Sequence, residues 1–170
     1  MRNNFECTKI ARMRGKEKVI IELNRALKEE LTAINQYFLH AEMCENWKYE
    51  SLGECIKKQA IGEMKHAELL IERILFLDAT PNMSELLPIR VGKNVKEQIA
   101  SDLKLELEAV EMYNRSVRIA QEEGDNASRE LFEMLLKDEE DHVDWLEAQM
   151  HQIEELGYER YLSQQIRDNE

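Results

Sequence analysis

The stretch from Asp78 to Asn94, DATPNMSELLPIRVGKN, decides how this chain folds. It holds both prolines of the 170-residue sequence and no apolar repeat of helical period. Long segments on either side do carry that repeat. They predict helices over about Lys16–Asn46 and Leu52–Leu77 before the stretch, and Val95–Glu123 and Ala127–Leu156 after it. The link around Trp47 to Gly53 and the link EEGDN are short, so each pair of helices is expected to fold back as an antiparallel hairpin. A connection as long as 78–94 is uncommon in a compact domain unless it has a task. Here the task is to run the length of a bundle, so that the third helix starts at the far end from where the second stopped. The expectation is an all-α four-helix bundle with one long crossover. Past Gly157, a helix C-cap, YERYLSQQIRDNE predicts a short fifth helix.

Composition agrees. Six glycines, two prolines and 34% charged residues favour long helices, and no alternating β-branched run predicts a strand. A formal charge of −12 with no basic stripe argues against nucleic acid as a partner, although it can concentrate metal cations. Most of the acidic residues are expected to solvate outer helix faces. Cys7, Cys44 and Cys55 are too few for a disulfide framework or a thiolate metal site, and an odd count fits a reducing compartment. No apolar stretch approaches the roughly 20 residues that cross a bilayer. MRNNFECTKIAR lacks the apolar run of a secretion signal. These features predict a cytoplasmic protein with no membrane segment, residues 1–12 being a polar, candidate disordered extension and 13–170 one domain.

IGEMKHAE, residues 61–68, gives the helix before the crossover an odd polarity. Glu63 and His66 fall on the same face as Leu52, Ile56, Leu70, Ile74 and Leu77, whereas Met64 points away. A second pair, Glu139 and His142, repeats the three-residue spacing, which puts both side chains on one face of a helix. Glu30 lies 33 residues before Glu63, and Glu106 lies 33 before Glu139. Tyr37 and Tyr113 each follow those glutamates by seven. The chain therefore carries one string twice, each copy spread over two helices. His40 and His151 have no glutamate three residues earlier and are read as ordinary histidines.

Four carboxylates inside a bundle repel one another and lose hydration, at about several kcal/mol each unless paired. Protonation is one escape. Coordination of cations is the other, since four carboxylates and two neutral imidazoles nearly neutralise two divalent ions. Oxygen and imidazole donors without thiolate favour iron or manganese over structural zinc. One long crossover with this donor set is the ferritin-like variant of the four-helix bundle.

AINQYFLHA (33–41), EMKHAE (63–68), ERILFL (72–77), SDLKLELE (101–108) and DEEDHVDWLE (138–147) resemble the bacterioferritins, from about Met13 to the C-terminus. The resemblance implies a cage of twenty-four subunits, built from two-fold dimers, that oxidises Fe(II) with dioxygen or hydrogen peroxide and stores ferric mineral. It implies a di-iron ferroxidase centre. There Glu30 and Glu106 match the terminal carboxylates, Glu63 and Glu139 the bridging ones, and His66 and His142 the imidazoles. Tyr37 matches a tyrosine beside that centre; Tyr113 is open between the same role and plain packing. Met64 matches the axial methionine of a haem b, iron-protoporphyrin IX, shared between two subunits, and a ferredoxin-type partner for iron release is also implied. Ala60, Ala67 and Ile71 share the Met64 side on helical spacing and predict a second apolar stripe with room for a macrocycle. One departure stands out. Some bacterioferritins carry a histidine and an aspartate five and one residues before EMKH as a further iron site, where this chain has Lys58 and Gly62. A peroxide-reducing di-iron protein of rubrerythrin type is the second reading, against which stand EMKH and the lack of any Cys-x-x-Cys module. A haem electron carrier with an idle metal site is the third.

Overall fold

A computed structural model describes residues 13–167; the expectation for residues 1–12 lies outside it. Five helices follow in order: α1 (Glu17–Asn46), α2 (Glu50–Phe76), α3 (Val95–Glu122), α4 (Asn126–Leu156) and α5 (Tyr158–Ser163). No strand occurs among the described residues. α1 packs chiefly on α2 and α3 on α4, and α1 also meets α3, as two hairpins joined by a crossover require. The helix ends have local causes. Asn94 accepts a hydrogen bond from the Glu97 N–H at the start of α3, and Asp125 does the same for Ser128 at the start of α4. Gly157 closes α4 at φ 82°, where a side chain would be strained.

The apolar interior comes in two clusters rather than one. Leu23, Leu27, Leu70, Ile74, Phe132 and Leu135 lie in the first, and Leu52, Ile56, Ile99, Leu105, Leu146 and Ile153 in the second. In every long helix the break between the clusters falls at an acid: Glu30, Glu63, Glu106 and Glu139. The bundle thus clamps a polar layer between two dry ones.

The crossover does run along the bundle, and polar groups hold it there. Asn24, Thr32, Gln36 and His40 stand on one edge of α1. They accept hydrogen bonds from the backbone N–H groups of Asn82, Leu87, Arg90 and Gly92, respectively. Lys28 pairs with Glu85 in the same row. Residues four apart share a helix face, so α1 offers acceptors on four of five successive turns, and Lys28 on the remaining one, to an extended chain that cannot satisfy its own N–H groups. At Gly92 a Cβ would lie 2.2 Å from the Gln98 nitrogen, so only glycine fits. Gln36 also donates to Asp102 at 2.8 Å. Its replacement by alanine orphans the Arg90 N–H and leaves Asp102 with His40 alone, and is expected to cost about 1–3 kcal/mol, read as a lower urea midpoint of the metal-free protein.

Candidate metal centre

Each long helix contributes one acid to the layer, and α2 and α4 add an imidazole one turn on. Glu30, Glu63, Glu106, Glu139 and His66 are buried, and the His142 side chain is 18% exposed. Their ligand atoms gather in two overlapping sets: Glu30, Glu63, His66 and Glu139, and Glu63, Glu106, Glu139 and His142, each within 4.8 Å. Glu63 and Glu139 belong to both. His66 Nδ1 lies 2.8 Å from Glu63, 3.4 Å from Glu139 and 3.7 Å from Glu30. His142 Nδ1 lies 3.0 Å from Glu63, 3.1 Å from Glu139 and 4.0 Å from Glu106. The tyrosines cross over: Tyr37 donates to Glu106, and Tyr113 to Glu30. That hydrogen bond gives Tyr113 more than a packing role.

The layer has the electrostatics of a site built for cations. Burial, then the charges of Glu63 and Glu139, pushes the Glu30 carboxyl well above the usual range, and Glu106 is raised by the same causes. Burial also opposes the Glu63 carboxylate, but the imidazoles of His142 and His66 outweigh it and hold Glu63 at about 2. Burial lowers His142, yet the carboxylates of Glu139 and Glu63 carry it to about 10, and His66 is raised in the same way. Without metal, then, two imidazolium charges stand where cations would.

A pH dependence follows. His142 is raised above its ordinary 6.5, so its contribution to stability is complete below that pH and is lost as pH rises through about 10. Glu63 works at the other end, its contribution being present above 4.5 and lost as pH falls through about 2. The Tm of the chelator-treated protein is expected to fall from pH 7 to 10, and His142→Gln to remove part of that slope.

The donor set fits a metal on a second count. Both Glu63 oxygens, Glu139 Oε1 and His66 Nδ1 are buried, and the ion pairs that these carboxylates and imidazoles make with one another leave the four atoms without a well-formed hydrogen bond. Buried polar atoms are seldom left so, and lone pairs converging on common points are satisfied by cations. A cavity of about 10 Å³ between α1 and α3, lined by Ala33, Ala109 and Glu29, reaches Glu30, Glu106 and Glu139.

Other residues fall elsewhere. Met64 is 48% exposed on α2, turned away from the acids. The stripe expected beside it is corrected: Ala60 and Ala67 are only 3% and 5% exposed, and Ile71 is half-buried. Alanine is small enough to be covered where α1 packs on α2, and the exposed large apolar side chains on α2 besides Met64 are Ile61, Leu69, Leu75 and Phe76. Lys58 is exposed, and a Cβ on Gly62 would meet no atom within 4 Å. His151 is exposed. His40 is buried, taking the Gly92 N–H on Nε2 and facing Asp102 at 2.9 Å through Nδ1. Asp138, not singled out by the spacing, places Oδ2 3.3 Å from His66 Nε2.

A crossover bundle with two inward glutamates and two Glu-x-x-His pairs is a ferritin-like protein, and residues 20–156 match the family model described as a ferritin-like domain. Among relatives, the chain is 44% identical to the bacterioferritin of Brucella melitensis over 149 residues, 88% of this chain and 92% of that one. It is 43% identical to the bacterial ferritin of a Synechocystis species, covering 91% and 99%. A solved bacterioferritin of Mycobacterium tuberculosis superposes with a TM-score of 0.90 at 37% identity, over 91% of this chain and 98% of that one. The chain belongs to the bacterioferritin family.

Proposed function

We propose that this protein stores iron, oxidising Fe(II) to Fe(III) at the centre formed by Glu30, Glu63, His66, Glu106, Glu139 and His142. The observation that carries this reading is the sharing of Glu63 and Glu139 between two overlapping ligand sets. Carboxylates common to two positions keep two Fe(II) ions close enough to give up one electron each to a single oxidant, dioxygen or hydrogen peroxide. Glu30 and Glu106 each complete one position. As Fe(II) enters, the protons held by the imidazoles and by these two acids leave, so charge in the layer stays balanced. Tyr37 and Tyr113 orient the terminal carboxylates through their hydroxyls. The cavity beside Glu29, about 10 Å³, leaves room for about one water-sized species next to Glu30, Glu106 and Glu139.

Storage requires a shell, and we assign the chain to a homo-oligomer, a cage of twenty-four built from two-fold dimers. No helix among the described residues is long and apolar enough to cross a membrane, and we place the cage in the cytoplasm. Exposed Met64 and Ile61 on α2, with Phe38 on α1, suit a two-fold contact at which Met64 would be the residue that holds a haem b. A haem so held supplies electron transfer, which a ferredoxin-type partner could feed for iron release. The test is electron microscopy of the purified protein after Fe(II) and air. Hollow spheres that fill with a dense core are expected; compact dimers without a core would overturn the reading.

A further inference from the structure

The two halves of the centre are related by a constant offset of 76 residues: Glu30 to Glu106, Tyr37 to Tyr113, Glu63 to Glu139 and His66 to His142. The contacts obey it too, since Tyr37 reaches Glu106 and Tyr113 reaches Glu30. Asp138 breaks this symmetry. It lies one residue before Glu139, and its Oδ2 is 3.3 Å from Nε2 of His66 on the facing helix. Its counterpart by the same offset is Gly62, one residue before Glu63, which has no side chain to offer His142. All the carboxylate contacts of His142 run through Nδ1, and its side chain is 18% exposed against 10% for His66. Nothing near Gly62 demands a glycine: the position is helical, and an added Cβ would meet open space. Glycine inside a helix even costs about 1 kcal/mol relative to alanine.

We infer that Asp138 is a positioning residue that fixes the His66 ring, and that Gly62 leaves the His142 ring unbraced, making the two metal positions unequal. This rests on reading the layer as a two-metal site. A carboxylate on the far nitrogen of a ligating imidazole sets the ring's tautomer and direction and raises its basicity, and losing such a partner weakens metal binding by about 10–100-fold. The position completed by Glu30 and His66 is the tight one. The position completed by Glu106 and His142 is exchangeable, so one ion is retained while the other comes and goes.

The test is titration of the metal-free protein with Co(II), read by its visible absorption per subunit. Two steps are expected, the second weaker by about 10-fold or more. Gly62→Asp should tighten the weak step by about 10-fold and leave the strong one in place, while Asp138→Asn should weaken the strong step by a similar factor. Asp138 is half exposed and a side chain at position 62 meets open space, so both metal-free variants are expected to fold with unchanged helix content by circular dichroism. Equal affinities in the unaltered protein, or a weak step that Gly62→Asp does not move, would overturn the inference while leaving the two-metal reading intact. No bound Co(II) at all would overturn both.

Discussion

Replacing Glu139 by alanine is expected to slow rapid Fe(II) oxidation by at least about 100-fold while the subunits still fold and assemble. Glu139 lies 3.4 Å from His66 and 3.1 Å from His142 and belongs to both ligand sets, so its loss opens both metal positions at once. Folding should survive because the layer holds charge in reserve. The Glu30 and Glu106 carboxyls are pushed up by burial and by the neighbouring carboxylates, so removing one of those neighbours lets them ionise and face the imidazoles instead. Stopped-flow absorbance of the ferric product, with size-exclusion chromatography of the same sample, gives both readouts. Unchanged oxidation would move the chemistry elsewhere, and failed assembly would make the layer a structural element.

Met64→Leu is expected to have an equally large but separate effect, abolishing haem binding and leaving Fe(II) oxidation within about twofold, since leucine and methionine are close in volume. Successive residues turn about 100° around a helix, so Met64 faces out of the bundle while Glu63 faces in. The burial pattern agrees, Met64 being exposed and Glu63 fully buried. The Soret absorbance per subunit after reconstitution with haem measures the first effect and stopped-flow oxidation the second. Loss of oxidation in this variant would contradict the separation of the two faces.

The four long helices were legible because apolar residues recur at helical spacing, and Gly157 marked the end of the fourth; the caps at Asn94 and Asp125 emerge only in the structure. The acids of the centre were legible for a different reason. Spacing that repeats across two hairpins survives folding as a pseudo-two-fold relation, and no single Glu-His pair carried that information. That the crossover runs the length of the bundle was legible from its length, but the way it is held there was not, because that depends on buried polar groups that look ordinary in sequence. Thr32, Gln36 and His40 interrupt the apolar face of α1, yet each is buried and meets a backbone N–H from 78–94. Reading acids as solvated also fails for Glu22, which is buried and paired with Arg115 at 2.7 Å. Asp138 was invisible because its partner lies on another helix, 72 residues away. Alanine misled in the opposite sense: Ala60 and Ala67 fit either side of α2, and only the approach of α1 decides that they are covered.

A two-metal centre sharing Glu63 and Glu139 is tested best by anomalous diffraction from crystals loaded with Fe(II) under anaerobic conditions. Two peaks per subunit about 3.5–4 Å apart are expected, both in contact with Glu63 and Glu139, one also with His66 and the other with His142. A single peak per subunit, or peaks away from these six residues, would contradict it.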